Sequence, residues 1–159
     1  MAIASFRAGE TIAAGDAVYV GSNSLIYKAS ALNTTQASVG GIAIDGGSAG
    51  ALIRVNADSI YSGLSGLTTN EYQYLSITTS GALVDYAGWS AELATITVDG
   101  YLTNVGRATS SSTLAVEIQP PVLVVNPTSV LLLESSTGLT IDAILLEDGS
   151  TIDLETASV

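Results

Sequence analysis

The side chains of this 159-residue chain that could do acid–base or covalent chemistry are almost all carboxylates: fifteen Asp and Glu against four Lys and Arg, with no His and no Cys. Without imidazole or thiol there is no Ser–His pair, no thiolate nucleophile and no imidazole or thiolate metal ligand. A Ser–Lys dyad would have to use Lys28, which lies in a strand-like run without Ser-x-x-Lys spacing. A rim lysine that keeps a sheet edge soluble explains it more simply. Glycosidases run on two carboxylates, and Asp16, Asp45, Asp58, Glu71, Asp85, Glu92 and Asp99 are the candidates. Asp16, Asp45 and Asp99 stand beside glycine or at strand ends, where Asp sets turn geometry. The carboxylates read as turn and solubility residues. No catalytic residue, cofactor or metal is expected.

Calcium needs only oxygen ligands. Residues 147–155 supply oxygens but lack the Asp-x-Asp-x-Asp-Gly loop, so a solvated acidic hairpin is the simpler reading. The aromatics are the remaining candidates. Tyr19, Tyr27, Tyr61, Tyr72, Tyr74, Tyr86 and Tyr101, with Trp89, join apolar bodies to polar tips and could stack on sugars. Tyr72 and Tyr74, two apart, share one face of a strand. Core or rim packing is the favoured reading of Tyr19, Tyr27 and Tyr74. Trp89, between Gly88 and Ser90 in a loop-like segment, reads as an interface anchor.

These residues sit on a chain written almost wholly in strand language. Short runs of Val, Ile, Tyr, Leu and Thr end at Gly, Asn, Asp and Ser, which predicts an all-β fold. Strands are expected near residues 2–7, 16–21, 24–29, 38–44, 51–56, 58–61, 72–77, 82–86, 94–98, 101–108, 113–118 and 122–125. Gly21-Ser22-Asn23-Ser24 and Thr79-Ser80-Gly81 read as hairpin turns, and Asp99-Gly100 as a two-residue one. Residues 87–93 are the best helix candidate, too short to stand without tertiary support.

The net charge of −11, with the four cations scattered singly, excludes phosphate neutralisation along a nucleic acid and disfavours anionic membranes. No run approaches the roughly 20 apolar residues of a membrane span. The N-terminus lacks the basic start and apolar core of a secretory signal. A soluble protein made in the cytoplasm is expected.

One pattern is written twice. Ala14-Gly15-Asp16-Ala17-Val18-Tyr19-Val20, Leu25-Ile26-Tyr27-Lys28-Ala29 and Val39-Gly40-Gly41-Ile42-Ala43-Ile44 form the first copy. Tyr72-Gln73-Tyr74-Leu75-Ser76-Ile77, Gly81-Ala82-Leu83-Val84 and Val105-Gly106-Arg107-Ala108 form the second. Asp16 and Lys28 find no clear counterparts in the second copy. Pro120-Pro121 and Asn126-Pro127 then break the sheet pattern. Beyond them Leu131-Leu132-Leu133-Glu134 recurs as Ile144-Leu145-Leu146-Glu147. The expected organisation is a β-domain over 1–119, a linker over 120–127 and a leucine-rich acidic β-appendage over 128–159, whose apolar runs need a partner surface.

The phrases Ala8-Gly9-Glu10-Thr11-Ile12-Ala13-Ala14-Gly15-Asp16-Ala17-Val18-Tyr19-Val20, Leu25-Ile26-Tyr27-Lys28-Ala29 and Gly41-Ile42-Ala43 resemble those of tailed-bacteriophage capsid decoration (cement) proteins. Residues 74–83 and 105–108 look like phrases of phage head-decoration and fibre proteins. The resemblance covers roughly residues 8–118; the leucine-rich tail matches nothing in it. It implies a small antiparallel β-barrel or β-tulip built from two similar hairpin-containing halves. It also implies a virion protein on the capsid surface that binds the major capsid protein as a homotrimer and stabilises the lattice. On this reading Ile3, Phe6 and Arg7, in an N-terminal arm over 1–9, Trp89, and Leu131 and Leu133 in the tail are the interface residues. The arm has an equal alternative as the first strand of the barrel. The competing function is a receptor-binding or adhesive fibre module that uses Trp89 and exposed tyrosines to hold host glycans.

Overall fold

A computed structural model describes residues 3–126 and the backbone of residues 144, 145, 151 and 152. The first unit, Met1–Ser129, is all-β with two short helices. Its first half runs β1 (Ile3–Ala8), β2 (Ala17–Val20), β3 (Leu25–Lys28), a one-turn helix α1 (Thr34–Ala37), β4 (Gly41–Ala43) and β5 (Leu52–Asn56). Its second half runs β6 (Ile60–Ser62), β7 (Tyr72–Leu75), β8 (Leu83–Val84), α2 (Tyr86–Leu93), β9 (Gly100–Leu102), β10 (Asn104–Ala108) and β11 (Thr113–Val116), followed by β12 (Val122–Val124).

The hairpin strands form where turn chemistry allows it. The Gly21 N–H donates to the Leu25 carbonyl at 2.8 Å, and Ser24 adopts φ 63° between them. Gly81 supplies φ 82° in the second hairpin at no steric cost. In each half the aromatic-rich strand lies between its returning hairpin strand and the later Gly-X-Ala strand. The full orders match: β3-β2-β4-β5-β1 in the first half and β8-β7-β10-β11-β6 in the second. Each half also places its helix between the hairpin and the Gly-X-Ala strand. The written repeat is a duplicated module.

Register and hydrogen bonds align the copies residue by residue. Gly15 and Asn70 both take left-handed φ, 94° and 71°, and their N–H groups donate to Ala43 and Ala108 at 2.8 Å. Tyr19 then corresponds to Tyr74, Tyr27 to Val84, Lys28 to Asp85 and Ile42 to Arg107. Gly41 and Gly106 explain why the Gly-X-Ala phrase recurs. A Cβ at Gly41 would lie 2.6 Å from the Asn56 carbonyl oxygen, and one at Gly106 would overlap the Ala115 carbonyl oxygen of β11.

The copies differ in closure. In the first, β1 continues past β5 to pair in parallel with β3, Arg7 opposite Leu25 and Ala8 opposite Ile26, so the five-stranded ladder closes into a ring. In the second, Gly63 turns the chain at φ 124° after Ser62, and the stretch from there to the Asn70 turn is two residues shorter than its counterpart. The β6 strand stops short of β8, and the sheet stays open.

Two apolar cores follow from this layout. Ala8, Ile12, Val18, Ile26, Ala43, Ile53 and Val55 fill the ring. The larger core joins the modules, bringing Ala17, Ala29, Ala31 and Ile42 of the first against Leu75, Ile77, Trp89, Val105 and Leu114 of the second. Backbone bonds tie the same seam: Ala17 N–H to Gly81, Gly81 N–H to Ala29 and Tyr101 N–H to Ala31, each at 2.8 Å. Small residues at 17, 29 and 31 let the two backbones approach this closely.

Several sequence expectations are corrected. The N-terminal segment is not a free arm, because Ile3–Ala8 is a ring strand bonded on both edges. Residues 94–98 are not a strand but the exit from α2, so Asp99-Gly100 closes no hairpin. The strand expected over 101–108 is two, divided at Thr103, whose hydroxyl donates to the Ala37 carbonyl at 3.0 Å. Within the segment expected as a linker, the strand expected over 122–125 is present. Val122–Val124 pairs antiparallel with β9, Val122 opposite Leu102.

Asn126 completes that attachment. It is buried; its Nδ2 donates to the Leu93, Ile96 and Val98 carbonyls at 2.9, 2.6 and 3.3 Å, and its N–H donates to Asp99 Oδ1 at 2.9 Å. The second unit, Val130–Val159, contains an antiparallel pair, β13 (Ile144–Leu145) with β14 (Thr151–Ile152).

Candidate functional site

Of the carboxylates named from sequence, the fold brings Glu71 and Asp85 to one cleft and ties Asp16, Asp45 and Glu92 into separate local bonds. Asp16 Oδ2 accepts from the Ala13 N–H at 2.8 Å, which fixes the turn before β2, and lies 4.0 Å from Lys28 Nζ. Asp45 forms a two-point pair with Arg54, 2.7 Å to both Nε and Nη2. That hydrogen bond holds the Asp45 carboxyl below its usual range and raises the Arg54 guanidinium. Both groups are solvent-exposed, so the pair acts as surface electrostatics. Asp85 is the N-cap of α2, its Oδ1 accepting from the Gly88 N–H at 2.7 Å.

Glu92 has a role the sequence did not disclose. From the last turn of α2 it accepts from the Ser76 hydroxyl at 2.8 Å, the Ile77 N–H at 2.7 Å and the Thr78 hydroxyl at 2.9 Å. One charged acceptor satisfies the turn that follows β7, and charge-assisted bonds of this kind are the stronger class. Among the described residues no three acidic side chains gather in a group that could hold a metal ion. The segment over 147–155 weighed for calcium lies outside the described residues, save the backbone of Thr151 and Ile152.

The described interface residues named from sequence fall on β1 and α2. Ile3 is 46% exposed on β1. Phe6 packs part-buried against the ring core, and Arg7 is exposed, its Nη1 donating to the Gly50 carbonyl at 3.1 Å. Trp89 is not on a loop: it lies in α2 and is buried, with no hydrogen-bond partner at Nε1 among the described residues. Leu131 and Leu133 lie outside the described residues.

Comparison with known proteins adds no identity. No family model matches the chain, and no curated protein matches it in sequence.

What the fold does assemble is an aromatic cleft and an apolar edge. The cleft, about 450 Å³, is lined by Asn70, Glu71, Tyr72, Tyr74, Asp85 and Tyr86. Strand alternation puts Tyr72 and Tyr74 on one side, and the Asp85 cap aims Tyr86 at them from the start of α2. The Tyr74 and Tyr86 rings meet edge to face at 5.9 Å and 66°, and Tyr86 stacks on Trp89 at 6.4 Å and 17°. The Arg107 guanidinium lies 5.8 Å from the Tyr72 ring centre and its Nε donates to the Asn70 carbonyl at 3.0 Å. The apolar edge is β12 and the residue after it: Val122, Leu123 and Val125 are all more than half exposed, and only β9 pairs with the strand among the described residues.

Proposed function

We propose that the chain is a structural protein of a bacteriophage virion. It sits on the outer capsid surface, where as a homotrimer it bridges neighbouring copies of the major capsid protein and stabilises the lattice. The resemblance of residues 8–118 to capsid decoration proteins supports this reading. The observation that carries it is the β12 edge. Exposed edge strands are normally blunted by charge or by a covering element, yet Val122, Leu123 and Val125 carry no charge and face solvent.

Covering such an edge supplies main-chain hydrogen bonds in the manner of strand addition, and about 25 cal/mol per Å² of apolar area removed from water. Ordering costs keep each contact weak on its own. A lattice that fixes the spacing of many copies turns weak contacts into stable attachment.

Co-sedimentation of the full chain with purified heads tests the proposal, with its oligomeric state measured by light scattering. A trimer that pellets with heads is expected, and a Val122→Asp, Leu123→Asp double variant should stay in the supernatant. A monomer that fails to bind heads would overturn it.

A further inference from the structure

We infer that the cleft between β7 and the start of α2 is a carbohydrate-binding site, its tyrosines stacking on the apolar face of a sugar ring while Glu71 and Asp85 accept from the sugar hydroxyls. The site is independent of capsid attachment, since none of its residues belongs to the β12 edge.

The volume falls within the roughly 300–1,000 Å³ of small-ligand clefts. Tyr72 and Tyr86 leave 45% and 59% of their surface in solvent, an unusual use of large rings unless something covers them. The edge-to-face pair of Tyr74 and Tyr86 builds a corner rather than a flat patch. A pyranose meets these demands together, offering C–H faces to rings and hydroxyl donors to carboxylates.

The duplication supplies an internal control. The first module has the same strands, but at the positions of Tyr72, Arg107, Asn70 and Asp85 it carries Ala17, Ile42, Gly15 and Lys28. Ala17 and Ile42 there are fully buried against the second module. The copies agree where packing demands it, at Tyr19 and Tyr74, Gly41 and Gly106, and Ala43 and Ala108. Tyr74 apart, they differ at the cleft positions just compared.

A cationic ligand is the competing occupant for aromatic rings beside carboxylates. The position over the Tyr72 ring is already held by the Arg107 guanidinium, bonded in turn to the Asn70 carbonyl. A second cation entering beside it would meet the like charge of Arg107 together with the Glu71 and Asp85 carboxylates, so competition by tetramethylammonium separates the two occupants.

Trp89 is the single tryptophan of the chain and stacks on Tyr86, so its fluorescence reports on the cleft wall. The test screens the full chain on an array of bacterial polysaccharides and neutral oligosaccharides, then titrates the best binder while following Trp89 emission. Saturable binding is expected. Tyr72→Ala, which recreates the first module's residue at an exposed position, should weaken it at least about tenfold. Asp85→Asn keeps a competent helix cap and should weaken it without changing thermal stability. Three results would overturn the inference: no array binding, binding undiminished in Tyr72→Ala, or saturation by tetramethylammonium in place of sugar.

Discussion

Asp16 and Glu71 hold the same place in two copies of one module, each lending its backbone carbonyl to the N–H of a buried strand alanine, Ala43 or Ala108, at 2.8 Å. Their side chains have parted. Asp16 turns back onto the Ala13 N–H, while Glu71 lines the aromatic cleft. Replacing Asp16 by Ala should cost about 1 kcal/mol through the lost turn bond, whereas Glu71→Ala should stay within about 0.5 kcal/mol as a surface change. Urea unfolding midpoints of the two variants measure the difference.

The closest backbone approaches in the sheets are made at Gly41 and Gly106. A Cβ at Gly106 meets only backbone of the next strand, and one at Gly41 meets both the Asn56 carbonyl and the Val55 side chain. Gly106→Ala should destabilise the first unit by at least about 3 kcal/mol, since the clash can be relieved only by moving β10 off β11. Gly50→Ala is the control for the open-space case, because nothing lies within 4 Å of its Cβ position. Only the strain of its φ of 86° should be felt there, about 1 kcal/mol. Thermal melts of both variants would show the contrast.

Asn126 fastens the segment that was expected to be a linker. Asn126→Ala removes the donor shared by the Leu93, Ile96 and Val98 carbonyls at the exit of α2. A loss of about 2–3 kcal/mol is expected for buried acceptors left without that donor. Limited proteolysis should then cut between residues 118 and 126 several times faster than in the parent chain.

Burial, followed by the fields of Asp16 and Asp45, raises the Tyr61 phenol above its ordinary value near 10. The unfolded chain gives up this proton first, so the stabilising contribution is complete below about pH 10 and is lost as pH rises through the raised value. Tyr61→Phe should flatten the fall in stability between about pH 9 and 11 without steepening the acid limb. Denaturation midpoints across that range check it.

The hairpins were legible because glycine marks their turns, as at Gly21 and Gly81, and the repeat was legible because Gly41-Ile42-Ala43 and Gly106-Arg107-Ala108 obey one steric demand. The equivalence of Asp16 and Glu71 was hidden because backbone carbonyls carry it, and any residue can supply one. Residues 94–98, Ala-Thr-Ile-Thr-Val, have strand-like alternation. Their conformation is decided instead by the exit from α2 and by Asn126, some thirty positions away, which captures the carbonyls there. The helix expected over 87–93 forms as α2, started by the Asp85 cap, while the loop-like neighbours Gly88 and Ser90 hid that it buries Trp89. The cleft was half visible in the Tyr72 and Tyr74 spacing. Its third wall, Tyr86, needed the fold.

Electron cryomicroscopy of particles assembled with and without the chain tests the capsid assignment most directly. The account predicts added trimeric density on the outer surface at three-fold positions, with the duplicated β-module fitting it and the β12 edge against the major capsid protein. Particles whose surfaces are identical with and without the chain would contradict it.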